Sequence, residues 1–289
     1  MTQTSLFQNP HSRYAFVSLA GGMRRIDLLA PEGVLRLRTA ACLWGLELPR
    51  MPVEAVPLEA ALPDPRGAPM PSRDVTEKDG RLLTSLERTV FDCARELARY
   101  DALAVVDQGL ARGVRREALA ARARRARGPG ARQAVAVIAM GDAGAESPGE
   151  SLVRGVVVDA GFPRPSCQVP ALPTRYRVDL GHAGYRCALE YDGDAFHSGR
   201  VNRARDAVRH AALAAAGWRV LPVNGEFRRD PAPLPGRLAH HAPERGLDPH
   251  PGPPRPHRHP HHPPAPPSAP PLAGQVGRAM GVSRSIGPG

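Results

Sequence analysis

The stretch from Arg175 to Gly193, RYRVDLGHAGYRCALEYDG, decides the fold of this chain. It contains two strand-like runs, Arg175 to Gly181 and Tyr185 to Tyr191, on either side of His182-Ala183-Gly184. Two such runs around a short glycine-containing turn are typical of a β-hairpin. The stretch therefore predicts two neighbouring antiparallel strands.

The register of this hairpin decides which acidic side chains come together. If the hairpin turns on Ala183-Gly184, Asp179 lies opposite Ala188. Because side chains alternate along strands, Asp179, Glu190 and Asp192 then share one face of the sheet. A slip of one residue would place Asp179 on the other face.

Helix and strand patterns surround the hairpin on both sides. A helix is expected from Ser147-Pro148 to about Ala160, because serine is a favourable N-cap and proline a favourable first helical residue. The following segments are predicted as a strand at Cys167–Val169, a helix from about Asn202 to Ala216, and a strand from Gly217 to Val223 whose proline favours a sheet edge or a strand end. The expected fold is α/β, a small mixed sheet flanked by helices.

The region before this sheet is expected to be mostly helical. Thr84-Ser85-Leu86-Glu87 is typical of a capping box with Thr84 as the N-cap. The helix that follows has one apolar face, formed by Val90, Cys93, Ala94 and Leu97. Other helices are expected at Leu37 to Trp44, Tyr100 to Leu110 and Arg115 to Arg127.

Composition divides the chain into three regions: 1–140, mostly helical; 141–241, the sheet domain; and 242–289, a proline-rich tail. The tail cannot bury enough apolar surface to offset its ordering entropy, so we expect it to be disordered. A real metal site at its closely spaced histidines is not expected without a fold to hold them. The prolines between Asp230 and Gly236 predict that no regular helix forms there.

The chain is strongly basic, with a formal net charge of +11, and Lys78 is its only lysine. Arginine suits phosphate contacts, but a GC-rich coding sequence would also favour arginine whatever the function. The arginines of the predicted helix from Arg115 to Arg127 are accordingly either phosphate-facing or a solvated surface. Four widely spaced cysteines, no signal peptide and no long apolar run predict a cytoplasmic protein with no membrane partner.

The acidic residues near the hairpin carry the chemical prediction. Asp179, Glu190 and Asp192 share a predicted face, and Glu150 at the start of the preceding helix could approach the same place. Carboxylates that converge repel one another unless a cation lies among them, and hard oxygen ligands suit Mg²⁺ or Mn²⁺. Alternatively, each acid could cap a helix or pair with a nearby arginine, namely Arg154, Arg177 or Arg186.

The motifs resemble a widespread bacterial family similar to very-short-patch-repair endonucleases, within the PD-(D/E)XK restriction-endonuclease-like superfamily. The resemblance covers about residues 140–230 and rests on these pieces: Glu146-Ser147-Pro148-Gly149-Glu150-Ser151, Arg177-Val178-Asp179-Leu180, Leu189-Glu190-Tyr191-Asp192-Gly193 with His197, Asp206 and Arg209, and Gly217-Trp218-Arg219-Val220. It implies a DNA endonuclease in which Asp179 and Glu190 bind Mg²⁺ or Mn²⁺ and Glu150 assists.

The chain departs from this superfamily at Asp192, which stands where a lysine is usual. Either Asp192 joins the metal-binding set with His197 or an arginine assisting, or the domain is a weak or inactive nuclease. With Thr39-Ala40-Ala41 to Gly45, and Thr84-Ser85 to Asp92 and Arg95, the N-terminal region resembles AbiEi-type antitoxins, although the first forty residues do not show their helix-turn-helix. This second resemblance implies an alternative function, a non-catalytic DNA-binding regulator with a possible cognate toxin.

Overall fold

A computed structural model describes residues 14–19, 22–27, 33–48, 55–56, 60–61, 70–78, 80–192, 200–224, 227 and 230–241. All of them belong to one compact unit, Met1–Arg255, which spans the predicted boundary at residue 140. The predicted tail, 242–289, lies outside the described residues, as does His197. Within the described part of the chain, no helix is long and apolar enough to cross a membrane.

The N-terminal part of the described chain combines short strands with five helices. The strands are β1 Tyr14–Leu19, β2 Gly22–Asp27, β3 Val34–Leu35, β4 Ala55–Val56, β5 Ala60–Ala61, β6 Val75–Lys78 and β7 Arg81–Thr84. They form two small sheets, with strand orders β1-β2-β4 and β5-β3-β7-β6. The helices are α1 Leu37–Leu43, α2 Leu86–Glu96, α3 Arg99–Ala111, α4 Arg116–Arg125 and α5 Ala131–Met140.

Helix α2 has the predicted apolar face but begins one residue later than predicted. Val90, Cys93, Ala94 and Leu97 are all buried. The N-cap is Ser85, whose hydroxyl accepts from the Arg88 backbone N–H, so the prediction of Thr84 as N-cap is wrong. Thr84 is the last residue of β7, and its hydroxyl is hydrogen-bonded to that of Thr89 inside the core.

The arginines of α4 divide between structural contacts and solvent. Arg122 pairs with Asp74 and Glu87, and Arg116 donates to the carbonyls of Ile138 and Gly141. Arg124 and Arg125 are exposed at the end of the helix. The helix is therefore tied to the fold on one side and is not a uniform cationic surface.

The C-terminal part is an α/β layer arrangement around a four-stranded mixed sheet, which confirms the predicted fold class. Its elements are α6 Pro148–Asp159, β8 Ser166–Pro170, β9 Arg177–His182, β10 Cys187–Tyr191, α7 Arg200–Ala215, β11 Arg219–Val223 and α8 Leu234–His241. The strand order is β11-β10-β9-β8, with β10 and β11 parallel and the other pairs antiparallel. Pro222 therefore lies in an edge strand, as predicted.

Helix α8 contradicts the prediction that prolines prevent a regular helix in this segment. The helix begins at Leu234, after Pro231 and Pro233, and Pro235 falls in its first turn. Backbone N–H groups in a first turn have no partner within the helix, so proline costs little there. Leu234 and Leu238, one turn apart, are buried against the α6 side of the sheet.

The hairpin exists, but its predicted register is wrong by two residues. His182 pairs with Cys187, and Gly181 pairs with Ala188, so the turn holds four residues and ends at Arg186, which has a positive φ of 46°. A shift of two residues keeps every side chain on its predicted face because side chains alternate with a period of two. It also moves Asp179 from the level of Ala188 to the level of Glu190.

A buried ion pair joins the helical part to the sheet part. Arg154 in α6 pairs with Asp107 in α3, and both side chains are fully buried. The other Asp107 contacts are the Ser151 hydroxyl at 2.6 Å and the Asp142 backbone N–H at 2.7 Å. Arg154 also donates to the Met140 carbonyl. This network fixes α6 against α3 and against the loop that leads into α6.

Replacing Arg154 by methionine should strongly destabilise the protein, because Asp107 would remain buried without its counter-ion. We expect a loss of about 3–5 kcal/mol in the free energy of unfolding, measured by urea denaturation. Arg99→Met breaks the partly exposed pair with Asp159 and should cost about 1 kcal/mol or less. Adding Asp107→Asn to Arg154→Met should recover part of the loss. Equal costs for the two single variants would contradict this account.

His182 should make stability depend on pH below neutrality. Burial lowers its pKa to about 4, whereas a histidine in the unfolded chain titrates near 6.5. The unfolded state therefore binds a proton first, and stability falls as the pH drops from about 6.5 to 4. We expect His182→Gln to remove a loss of about 2 kcal/mol between pH 7 and pH 5. The control His240→Gln, at an exposed position, should keep that loss; a persistent loss in His182→Gln would refute the assignment.

Candidate functional site

Glu150 lies at the N-terminus of α6 in a reciprocal capping arrangement. The Ser147 hydroxyl accepts from the Glu150 backbone N–H at 3.2 Å, and it donates to Glu150 Oε1 at 3.0 Å. Glu150 Oε2 accepts from the Glu146 backbone N–H at 3.0 Å. The motif Ser-Pro-Gly-Glu thus fixes a buried carboxylate at the positive end of the helix dipole.

Strand β8 supplies a further donor to this carboxylate. Gln168 Nε2 donates to Glu150 Oε2 at 3.0 Å. Gln168 has a φ of 52°, a left-handed backbone conformation that is uncommon for residues other than glycine. Such a conformation costs free energy, so the surrounding structure must hold it in place. Here it brings the amide of an otherwise regular strand to the helix N-terminus.

The Asp179 carboxylate accepts a hydrogen bond from the backbone of β10. The register pairs Leu180 with Leu189, and beyond this pair the Tyr191 backbone N–H donates to Asp179 Oδ2 at 3.1 Å. The Asp179 side chain therefore spans toward β10 at the level where Glu190 projects. The hairpin therefore carries two carboxylates, those of Asp179 and Glu190, on neighbouring strands.

Helix α7 covers Glu190. Arg209 binds both carboxylate oxygens of Glu190, with Nη1 at 2.6 Å from Oε2, and it also donates to the Arg177 carbonyl at 2.8 Å. His210 Nε2 lies 3.4 Å from Glu190 Oε2. The Glu190 side chain is only 10% exposed, whereas that of Arg209 is 25% exposed. Glu190 is thus neutralised by a side chain that reaches solvent.

The acids influence one another electrostatically. Burial raises the pKa of Glu150, and the negative charge of Asp179 raises it further. Burial also raises the pKa of Asp179, and the charges of Glu190 and Glu146 add to that rise, while the Tyr191 N–H and Arg209 oppose it. Asp179 is therefore linked by charge to both Glu150 and Glu190. We refer to these three residues as the carboxylate cluster.

The other predicted site residues are not drawn into these contacts. Asp192 is exposed, and its backbone N–H donates to the Val223 carbonyl at 2.9 Å. His197 lies outside the described residues. Of the arginines proposed as alternative partners, Arg177 pairs with Glu146, and Arg186 donates to the Ala216 carbonyl. The third, Arg154, is the buried partner of Asp107 described above.

The carboxylate cluster offers oxygen ligands of the kind that divalent cations prefer, but these oxygens already accept hydrogen bonds from the protein. Carboxylate oxygens are the ligands that Mg²⁺ and Mn²⁺ prefer. Among the residues that the structure describes, no three His, Cys, Asp or Glu side chains are grouped so that they could hold an ion. Glu190 is held by Arg209, and Glu150 by Ser147 and Gln168. Binding an ion would require Glu190 to exchange its partner.

The contacts that hold the cluster are not evident from the sequence pattern. For Arg209, the spacing of four residues from Leu213 is a usable signal. Leu213 is fully buried against the sheet, and residues four apart share a helix face, so Arg209 points the same way. The Gln168 contact had no such signal, because it depends on an unusual backbone conformation.

The fold and the site define an α/β protein in which two buried carboxylates, Glu150 and Glu190, and the half-buried Asp179 lie at the end of a helix-flanked hairpin. The chain is 32% identical over 238 residues to the uncharacterized proteins MT2308 and Rv2248 of Mycobacterium tuberculosis, strains CDC 1551 and H37Rv. Each alignment covers 77% of this chain and 86% of the relative. The chain belongs to the family of these mycobacterial proteins. No family model and no solved structure matches it.

Gly149 provides a test of how closely α6 approaches the hairpin. A Cβ at this position would lie 2.0 Å from Tyr191 Cε1, so either the ring or the helix must shift. We expect Gly149→Ala to destabilise the protein by about 1–3 kcal/mol in urea denaturation. Tyr191→Leu should remove most of that cost when combined with Gly149→Ala. Additive costs in this double-mutant cycle would contradict the packing.

Proposed function

We propose that this protein is a metal-dependent DNA endonuclease that hydrolyses phosphodiester bonds at the carboxylate cluster. The observation that carries the proposal is the arrangement of Glu150, Asp179 and Glu190, which come from one helix and two strands, with charge effects between Asp179 and each of the other two. Their electrostatic coupling gives a site that a divalent cation would stabilise. The resemblance to very-short-patch-repair endonucleases, at these same positions, supports the same assignment.

Each residue of the cluster has a defined role in this proposal. Asp179 and Glu190, on adjacent strands, hold Mg²⁺ or Mn²⁺, and Glu150 assists from the end of α6. The ion, when bound, supplies electrophilic activation of the phosphodiester and of the attacking water. Ser147 and Gln168 orient the Glu150 carboxylate, and the Tyr191 backbone N–H orients that of Asp179. Exposed arginine side chains bind the DNA backbone, which makes affinity fall with salt.

A second candidate function is a non-catalytic DNA-binding regulator. The observation that favours it is the pairing of Glu190 with Arg209, which neutralises one acid without a metal. The only lysine also lies in the N-terminal region, where Lys78 donates to the Leu43 carbonyl and lies over the Trp44 ring. In this alternative the carboxylate cluster is a structural remnant, and any cognate toxin would bind elsewhere.

Nicking of supercoiled plasmid separates the two candidate functions. We expect nicking by the wild-type protein with Mg²⁺ or Mn²⁺ and none with EDTA. Asp179→Asn should reduce the rate by about 100-fold or more, the usual effect of losing one group that stabilises transition-state charge. Asp230→Asn is the matched control, because Asp230 is exposed and its described hydrogen bond is from the Ala232 N–H of its own loop.

Two results would overturn the enzymatic proposal. One is nicking at equal rates by the wild type and Asp179→Asn, which would indicate a contaminating nuclease. The other is salt-sensitive DNA binding without turnover in either metal, which would favour the regulator.

A further inference from the structure

Exposed arginines are concentrated where α4 ends and α5 begins. We call them the arginine corner: Arg124, Arg125, Arg127 and Arg132. The sequence from 118 to 141 contains no aspartate or glutamate. Within the part of the chain that the structure describes, no acidic side chain pairs with these arginines, whereas Arg122 of the same helix pairs with Asp74 and Glu87. The corner is therefore a positive surface that the described acidic residues do not neutralise.

The backbone of the corner is fixed against the end of α2. Arg95 donates to the carbonyls of Arg127 and Pro129, at 3.2 and 2.9 Å. Gly130 has a φ of 74°, and a Cβ at this position would lie 2.2 Å from the Arg95 carbonyl oxygen. Gln133 Nε2 donates to the Leu97 carbonyl at 2.8 Å. Because the loop that carries the arginines is already held in place, binding a partner costs little backbone ordering.

Several backbone acceptors of the corner are covered by guanidinium groups. Arg127 donates to the carbonyls of Arg124 and Ala126, both at 3.0 Å, in addition to the two carbonyls that accept from Arg95. The N-terminus of α5 also lies in the corner, with Gly130 as an N-cap that makes no side-chain bond and no acid in the first turn. The partial positive charge of a helix N-terminus adds to that of the arginines. The corner therefore suits a partner that carries several negative charges.

The composition of the corner favours duplex DNA as that partner. Residues 124–132 contain no aromatic residue and no aliphatic side chain larger than proline. Protein partners are usually anchored by aromatic or other large side chains in pockets, and single-stranded nucleic acids by bases stacked on aromatic rings. A duplex can be held through its phosphates alone, and the planar guanidinium fits phosphate oxygens in a two-pronged geometry.

We infer that the arginine corner is a docking surface for the phosphate backbone of duplex DNA, separate from the carboxylate cluster. The inference rests on the proposed function only for the identity of the partner, and it requires neither a metal ion nor any of the three acids. It assigns the contact with DNA to the helical part of the chain. Contacts of this kind position a protein on DNA without reading the base sequence.

Fluorescence anisotropy of the full chain with a labelled duplex of random sequence, in EDTA, tests the inference without measuring activity. The triple variant Arg124→Gln, Arg125→Gln, Arg132→Gln should bind about tenfold or more weakly than the wild type. Its plot of log affinity against log salt should be less steep by about 2 to 3, since each lost phosphate contact removes about 0.9 from the slope. The same three changes to lysine keep the charge and should recover most of the affinity.

The matched control removes three exposed arginines that lie outside the corner, by the changes Arg73→Gln, Arg115→Gln and Arg175→Gln. It lowers the net charge by the same amount as the corner variant. It should bind the duplex within about twofold of the wild type and keep the salt slope, because its arginines are not phosphate contacts. Urea denaturation establishes that both glutamine variants are folded, and the lysine variant shows whether charge or folding causes a loss.

Three results would overturn the inference. The first is an equal loss of affinity in the corner variant and the control, which would mean that only net charge matters. The second is a wild type that does not bind the duplex in EDTA, or a corner variant that binds it as tightly as the wild type. The third is polyglutamate that displaces the duplex at equal charge concentration, which would indicate an acidic protein partner. Nicking with Mg²⁺ and its dependence on Asp179 are measured separately, so the proposed function can stand when this inference fails.

Discussion

The buried pair between Arg154 and Asp107 is the constraint on which the carboxylate cluster depends. A fully buried charge is costly unless its partner and its other hydrogen bonds are in place, so neither α3 nor α6 can move alone. The same Asp107 carboxylate binds Ser151 and the backbone of Asp142, which precede or follow the α6 N-terminus by a few residues. The position of Glu150 is therefore set from the helical part of the molecule. The sheet also restricts the position of Glu150, because Tyr191 of β10 packs on Gly149 in the first turn of α6.

Within the site, hydrogen bonds compensate the carboxylate charges that a bound cation would otherwise compensate. Glu150 is satisfied by its own helix cap and by Gln168, and Glu190 is satisfied by Arg209. Asp179 is the least compensated of the three, since its described hydrogen bond is a single backbone N–H and its pKa is raised by burial and by neighbouring acids. Because the Asp179 charge is the least compensated of the three, substitution of Asp179 is the most direct test of the proposed chemistry.

Much of the architecture could be predicted from local patterns. The Ser-Pro start of α6, the apolar face of α2 and the short helix α1 ending before Gly45 all rest on rules that act within one or two turns. The alternation of strand side chains placed Asp179 and Glu190 on a common face even though the register was wrong by two residues. The predictions at Thr84 and in α8 were wrong for the same reason. The local sequence does not show where the segment before each helix ends, so it does not fix the residue at which the helix begins.

The sequence by itself determined which acids could meet, because strand alternation and helix capping are properties of neighbouring residues. Only the tertiary structure decided what those acids contact. The Glu190–Arg209 and Arg154–Asp107 pairs join residues 19 and 47 positions apart, and nothing local distinguishes them from other acid–arginine combinations in an arginine-rich chain. The physical reason is that charge pairing has no periodicity: it depends on which elements pack together and how much water that packing excludes.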